Sequence, residues 1–308
     1  MNSKNDLTIS PRLAKNFQRN FIERMIEFGL LCSGIVAIFI TLAIVYVLVS
    51  EAIPFFEYVS IKEFLTDTVW TPNYSIKHYG ILPLISGTLT TTGIALIVAV
   101  PLGTITAIYL SEFATHKVRE IIKPILELLI GVPTVVFGYF ALMLVTPMLQ
   151  KIYPDLTTFN MLGPGIVMGI MIVPYIASVA EDSMRAVPMA MREGAYAMGA
   201  TRFQTAVRVI TPAAISGIVA AYILAISRAV GETMIVAIAA GQQPNFTFNP
   251  VESAATITSY IVSVALGDLE HDGIGYQSIF AAGLTLLIIT LLINILGHMV
   301  RKKYAERY

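Results

Sequence analysis

An all-α, polytopic membrane protein with six transmembrane helices is predicted by three features: composition, the apolar segments, and the placement of lysines and arginines. Hydrophobic residues make up 56% of the 308 and charged residues only 13%, whereas a soluble domain carries about a quarter charged residues. A bilayer core takes about 20 apolar residues per helix. Six segments are long enough: roughly 28–50, 84–111, 124–149, 162–181, 213–240 and 276–300. Basic residues alternate between the loops. The N-terminal tail holds Lys4, Arg12, Lys15, Arg19 and Arg24, the 112–123 loop three, the 182–212 loop four and the C-terminal tail four. The intervening loops hold two (Lys62, Lys77), one (Lys151) and none. Sixteen against three, with Arg228 left over, puts both termini in the cytoplasm. The expected organisation is a cytoplasmic tail over 1–27 and one transmembrane domain over 28–308, with a cytoplasmic loop at about 182–212.

Several classes drop out at once. A net charge of zero gives no hint of nucleic-acid binding. Cys32 is the only cysteine, which rules out an internal disulfide and a CxxC site. It reads as a small packing residue. The histidines at 78, 116, 271 and 298 show no metal-ligand spacing. The first 26 residues are polar and basic and the following apolar run is long enough to span, so the expectation is a first helix and not a cleavable signal.

The elements follow in order. The loop at 51–83 mixes aromatics with Glu57, Glu63 and Asp67 and predicts a small ordered external segment. The next spans carry Pro101, Pro133, Pro147 and Pro174, which neighbouring helices can accommodate. They also carry Gly87, Gly93, Gly103, Gly131, Gly138, Gly165 and Gly169, which favour close helix approach. The second long external loop, about 241–275, contains the apolar stretch Ile257 to Leu266, too short to span and read as an amphipathic or re-entrant helix. Both loops are candidate docking surfaces, and ordinary loop packing explains them equally well. Asn73-Tyr74-Ser75 and Asn245-Phe246-Thr247 match a glycosylation triplet too short to carry weight.

The 182–212 loop is longer than a connection between membrane helices needs. Pro188 suits a helix's first turn. Gly199 is placed to end that helix in the left-handed conformation. Thr201 with Gln204 forms a capping-box pair that starts a second helix, and Pro212 marks the start of the fifth span. Small residues at the bend (Gly194, Ala195, Ala197, Gly199, Ala200) leave room for a partner to approach, or for the turn to fold onto the protein's own core.

Glu193-Gly194-Ala195, three residues, Gly199, nine residues, then Val209-Ile210-Thr211-Pro212 resembles the EAA motif of ABC-importer membrane subunits. That motif reads E-A-A, three residues, G, nine residues, I-x-L-P. Gly194, Val209 and Thr211 are mild departures. In such importers this helix docks on the ATP-binding subunit, so the resemblance implies that Glu193 to Thr201 is the coupling element. The match widens in "YGILPLISGTLTTTGIAL", "PLGTITAIYLSEF", "LELLIGVPTVVFG", "MIVPYIASVAEDSMRAVP" and "SRAVGETM". Over about 75–240 these stretches resemble phosphate-specific importer permeases, and "VWTP" and "GETM" resemble the PstC-type subunit. The resemblance implies a type I ABC-importer permease fold in a bacterial plasma (inner) membrane. It further implies a PstA-like second permease in a heterodimer, two copies of an ATP-binding subunit and an external phosphate-binding protein. No cofactor is expected on this chain, with ATP and Mg held by the partner ATPase. A PstA-type subunit or a permease for a related oxyanion is the near alternative.

"ISRAVGETM" places Arg228 and Glu232 inside the fifth apolar run. An arginine at a helix centre costs roughly 2.5–3.5 kcal/mol on insertion scales. The i, i+4 spacing lets the two side chains pair on one face, with Gly231 leaving that face open. Counted from Pro212, Arg228 lies roughly 24 Å into a core of about 30 Å. The pair either locks two helices together or lines the substrate path. A guanidinium fork suits oxyanion oxygens, a neighbouring carboxylate tempers its hold, and Glu232 can accept a hydrogen bond from protonated phosphate. Glu127, read as one turn inside the third span, is a further path residue. Glu112, Glu181 and Asp182 fall at helix ends and read as interfacial. Thr88, Thr90, Thr91 and Thr92 offer hydroxyls either to a pore or to their own backbone.

A stand-alone secondary transporter would show internal symmetry, and none is evident. A membrane enzyme would need a nucleophile–base or metal constellation, which the sequence lacks. No Gly-Lys dipeptide occurs, hence no GxxxxGK[ST] sequence. ATP hydrolysis is expected on another chain.

Overall fold

The computed structural model describes residues 11–72, 76–267 and 273–303, with side chains from residue 22 onward. The Asn73 triplet, His271, Lys4 and Arg307 lie outside the described residues. The chain divides into two compact units, 1–50 and 51–308. Helix α1 (Pro11–Tyr58) begins well before the apolar run at 28. Within the first unit, apolar side chains such as Phe28, Phe39 and Ile44 are exposed all round the helix. A helix apolar on every side and uncovered by protein is one made for lipid.

The second unit is helical, with only two isolated bridge pairs among the described residues. The last turns of α1 and the short α2 (Ile61–Thr66) bury Phe55 and Phe64. Trp70 bridges to Tyr79. These rings stack edge to face, and Trp70 reaches Tyr260 at 5.0 Å between centroids. The segment expected at 51–83 is therefore ordered over its described residues, and it is packed against the second long loop. There α11 (Ile257–Ala265) starts on a Thr256–Ser259 capping box, and the Tyr260 hydroxyl lies 2.6 Å from Ser278 Oγ.

Between these lie α3 (Leu82–Phe113), α4 (His116–Ile130), α5 (Thr134–Ile152), α6 (Leu162–Arg185), α7 (Met189–Ala197), α8 (Arg202–Ala213), α9 (Ile215–Val230) and α10 (Met234–Ala239), and α12 (Ile274–Lys303) closes the chain. Among the described residues, five helices are long and apolar enough to cross a membrane, and the pair α8 and α9, bent by 73°, makes a sixth if it is counted as one broken span. Six were expected, with the fifth over 213–240.

Two expected spans are broken. The segment 124–149 separates at Gly131–Pro133 into α4 and α5, because Pro133 takes an extended ψ of 133° and cannot continue the helix. Its membrane span is Thr134–Ile152. The segment 213–240 bends at Ala214 and ends at Gly231, resuming only at Met234. Counted from Ile215, Arg228 sits about 20 Å along α9.

Glycine contacts set the central packing. A Cβ on Gly103 would lie 2.7 Å from Ile176 Cβ, one on Gly165 2.8 Å from Ile94 Cβ, and one on Gly169 2.7 Å from Val98 Cβ. Thus α3 and α6 approach as closely as their backbones allow, as small residues permit in lipid. Their shared core (Ala95, Ala99, Met168, Ile172) also takes Ala225, Ala229 and Ile235 from α9 and α10. That core places the break at 231–233 against the two most tightly packed spans.

Candidate functional site

The break in the fifth span is built around one carboxylate. Arg228 Nη1 lies 3.0 Å from Glu232 Oε2, so the pair expected from spacing forms. Glu232 is not helical, however. Gly231 and Glu232 close a tightened final turn onto Ser227 and Ala229. Glu232 Oε1 then accepts the backbone N–H groups of Met234 and Ile235, at 3.2 and 3.4 Å, and caps the start of α10. Its side chain is 2% exposed while that of Arg228 is 34% exposed. The contact through Oε2 is an ion pair without the alignment of a hydrogen bond, which leaves that oxygen's hydrogen-bonding capacity unused. One carboxylate thus serves two masters: two fixed amides hold Oε1, and a half-open guanidinium faces Oε2. Gly231 is exposed and leaves the approach open.

The break is also tied from outside the span. Thr258 Oγ1 donates to the Glu232 carbonyl oxygen at 2.6 Å, and the Ile257 N–H donates to Thr88 Oγ1 at 3.1 Å. Thr88 and Thr91 donate to their own helix backbone, as membrane threonines commonly do. The hydroxyls of Thr90 and Thr92 are buried without a partner.

Glu127 does not join this group. The helix break puts it on α4, exposed, beside a cavity formed with Pro124, Leu128, Gly131, Val132 and Pro133. The expectation that it lies one turn inside the third span fails because Gly131–Pro133 end α4 before that span begins.

At the opposite end of α6 stands the elbow. Pro188 is the residue just before α7, one position earlier than a first-turn placement. Gly199 has φ +81°, with its N–H bonded to Tyr196 O and the Ala200 N–H to Ala195 O, the paired bonds of a Schellman ending. Thr201 and Gln204 cap α8 reciprocally. Nothing lies near Gly194 or Gly199 on their open faces, and α7 buries no residue. The glycine side of the turn is thus open, while Met191 of α7 packs against the core on the other side. Met198 and Phe203 stand exposed beside Glu193, Gly194, Ala195, Ala200 and Thr201, and Pro212 lies in α8 two residues before the bend.

Sequence reasoning missed what anchors the elbow. Arg192 forks onto Glu112, with Nη2 to Oε1 at 2.9 Å and Nε to Oε2 at 3.4 Å. It also donates to the Val187 and Met184 carbonyls at 2.6 and 2.9 Å. Lys123 bridges from α4 to Glu181 at 2.8 Å and to Asp182 at 2.6 Å. Glu181 is fully buried between these partners near the end of α6. The only sequence signal was that acidic residues recur where α3 and α6 end.

Five to six apolar spans among the described residues, with an elbow between α6 and α8, are the architecture of a polytopic membrane protein. The family described as binding-protein-dependent transport system inner membrane component matches residues 99–306. The probable ABC transporter permease protein YqgH of Bacillus subtilis is 34% identical and aligns over 77% of both chains. The phosphate transport system permease protein PstC of Haemophilus influenzae is 31% identical, over 95% of this chain and 97% of its own. A chain of a bacterial ABC transporter that imports the acidic polysaccharide alginate shares the fold, with a TM-score of 0.65 at 19% identity, covering 96% of this chain and 100% of that one. The chain belongs to the binding-protein-dependent transport system inner membrane components, and it is a multi-pass membrane protein.

Proposed function

We propose that this chain is the PstC-type permease subunit of an ATP-driven phosphate importer, and that Arg228 and Glu232 line the substrate path. The observation that carries the reading is the pair itself: a half-exposed guanidinium in a membrane span, held against a buried carboxylate at a helix break. Intramembrane charges are costly and are kept mainly on substrate paths. Arginine presents a planar donor fork to an oxyanion. Glu232 weakens that hold enough to permit release, and its unused Oε2 lone pair can accept a hydrogen bond from a protonated phosphate, a donor that sulfate lacks.

The elbow supplies the other half of the reading. Its open glycines and exposed Met198 and Phe203 suit a socket on an ATP-binding subunit, with Glu193 to Thr201 as the coupling element. The tails and the elbow then face the cytoplasm, in keeping with the excess of basic residues there. The assembly proposed is a heterodimer with a PstA-like permease, two ATP-binding subunits carrying ATP and Mg, and an external phosphate-binding protein. Uptake of radiolabelled phosphate tests the path: Arg228→Ala and Glu232→Ala should each lower it at least tenfold with assembly intact. Normal uptake in both would remove the pair from the path.

A further inference from the structure

We propose that α3 is the connecting rod between the elbow and the Arg228–Glu232 break, with Arg192 and Thr258 as positioning residues at its two ends. The inference rests on the preceding reading of elbow and path. At one end, Arg192 of α7 holds Glu112 of α3 by a two-pronged bond and the end of α6 by two carbonyls. Its side chain is 11% exposed and that of Glu112 6%. Planar forks of this kind fix orientation as well as distance. Glu112 sits in a π-helical turn, Tyr109–Phe113, that ends α3.

At the other end, Thr88 of α3 accepts the Ile257 N–H, and a Cβ on Gly87 would collide with the Ala255 carbonyl. One residue further on, Thr258 donates to the Glu232 carbonyl, while its hydroxyl also lies 3.1 Å from that of Thr256. Movement of this end of α3 therefore bears on the backbone of the residue whose side chain faces Arg228.

Between the ends α3 is continuous. From Thr88 to Glu112 it is about 36 Å long. Pro101 removes one helical bond, but close contact of Gly103 with Ile176 braces that turn, and Thr104 Oγ1 lies 2.7 Å from the Tyr222 hydroxyl on α9. Displacement of α7 is passed to α3 through Arg192, carried along the helix, and delivered through Thr88 and Thr258 to the Glu232 carbonyl. A series linkage has a signature that two separate structural roles lack: once one joint is cut, cutting the other changes nothing.

The test is a double-mutant cycle in membrane vesicles carrying the assembled complex, reading uptake of radiolabelled inorganic phosphate per assembled chain. Arg192→Ala and Thr258→Val should each lower uptake about tenfold, the scale of lost buried hydrogen bonds. The double variant should stay at the level of the weaker single, and Thr258→Ser should restore uptake. Should Arg192→Ala fail to assemble, Glu112→Ala cuts the same joint. Sites this far apart ordinarily act independently. A roughly hundredfold loss in the double variant, or wild-type uptake in the singles, overturns the rod. Arg228→Ala is measured alongside. If it and Glu232→Ala both transport normally the path reading fails, whereas a loss there combined with a multiplicative cycle refutes the rod alone.

Discussion

Replacing Lys123 with methionine should destabilise the chain by about 2–3 kcal/mol, and the reason lies in what is left behind. Glu181 has no exposed surface, and Lys123 Nζ is its nearest partner at 2.8 Å. Removing one partner of a buried pair costs roughly 3–5 kcal/mol. Two features reduce that figure here. Arg185 still reaches Glu181, at 3.5 Å and from a half-exposed position, and recovers a fraction. The 2.6 Å bond to Asp182 contributes little, since Asp182 is 63% exposed. Burial opposes the charge on the lysine, but hydrogen bonds and attraction from Asp182 and Glu181 prevail and raise its pKa, so the ammonium is charged at any working pH. Because the folded value is raised, this contribution is complete below the lysine's unfolded value and fades only in strong alkali. Thermal unfolding in detergent should show Lys123→Met lower by roughly 5–10 °C, with Lys123→Met/Glu181→Gln recovering most of the loss. A single variant matching wild type, or a double variant no better than the single, would refute the buried-charge argument.

Three further outcomes follow from other positions. Gly199→Ala should cost about 1–2 kcal/mol through its left-handed backbone, and Gly199→Asn less, read as a shift in unfolding midpoint. Gly103→Leu should prevent correct assembly, because Ile176 already stands where its Cβ would go. Recovery of folded protein after solubilisation reads this directly. Glu252 is held below its ordinary value by hydrogen bonds from Thr247 and Asn249, so its ordering of the 243–252 loop should persist above the unfolded value and fade as pH falls through the lower folded one. Limited proteolysis of that loop between pH 7 and pH 3 should show the change, and Asn249→Ala should move it to higher pH.

Much of this architecture was legible in the residues. Apolar length placed four of the expected membrane helices unbroken, and Gly199 with the Thr201–Gln204 pair fixed the elbow because turn and cap chemistry are local. The i, i+4 spacing also foresaw the Arg228–Glu232 contact. What escaped was whatever depends on partners distant in the chain. Glu112 and Arg192 are 80 residues apart and Lys123 and Glu181 are 58 apart, so no periodicity joins them. The helix breaks were hidden differently: Gly131–Pro133 and Gly231–Thr233 lie within apolar runs whose hydropathy does not register a change of direction. Glu127 was misplaced for that reason alone.

The capping of α10 by Glu232 has an electrical consequence. A buried carboxylate with a single counter-charge would be stranded at large cost if that charge turned to an anion. Here Oε1 also accepts two backbone N–H groups that do not depend on Arg228. Were Arg228 to engage an anion as proposed, those amides would still face the carboxylate.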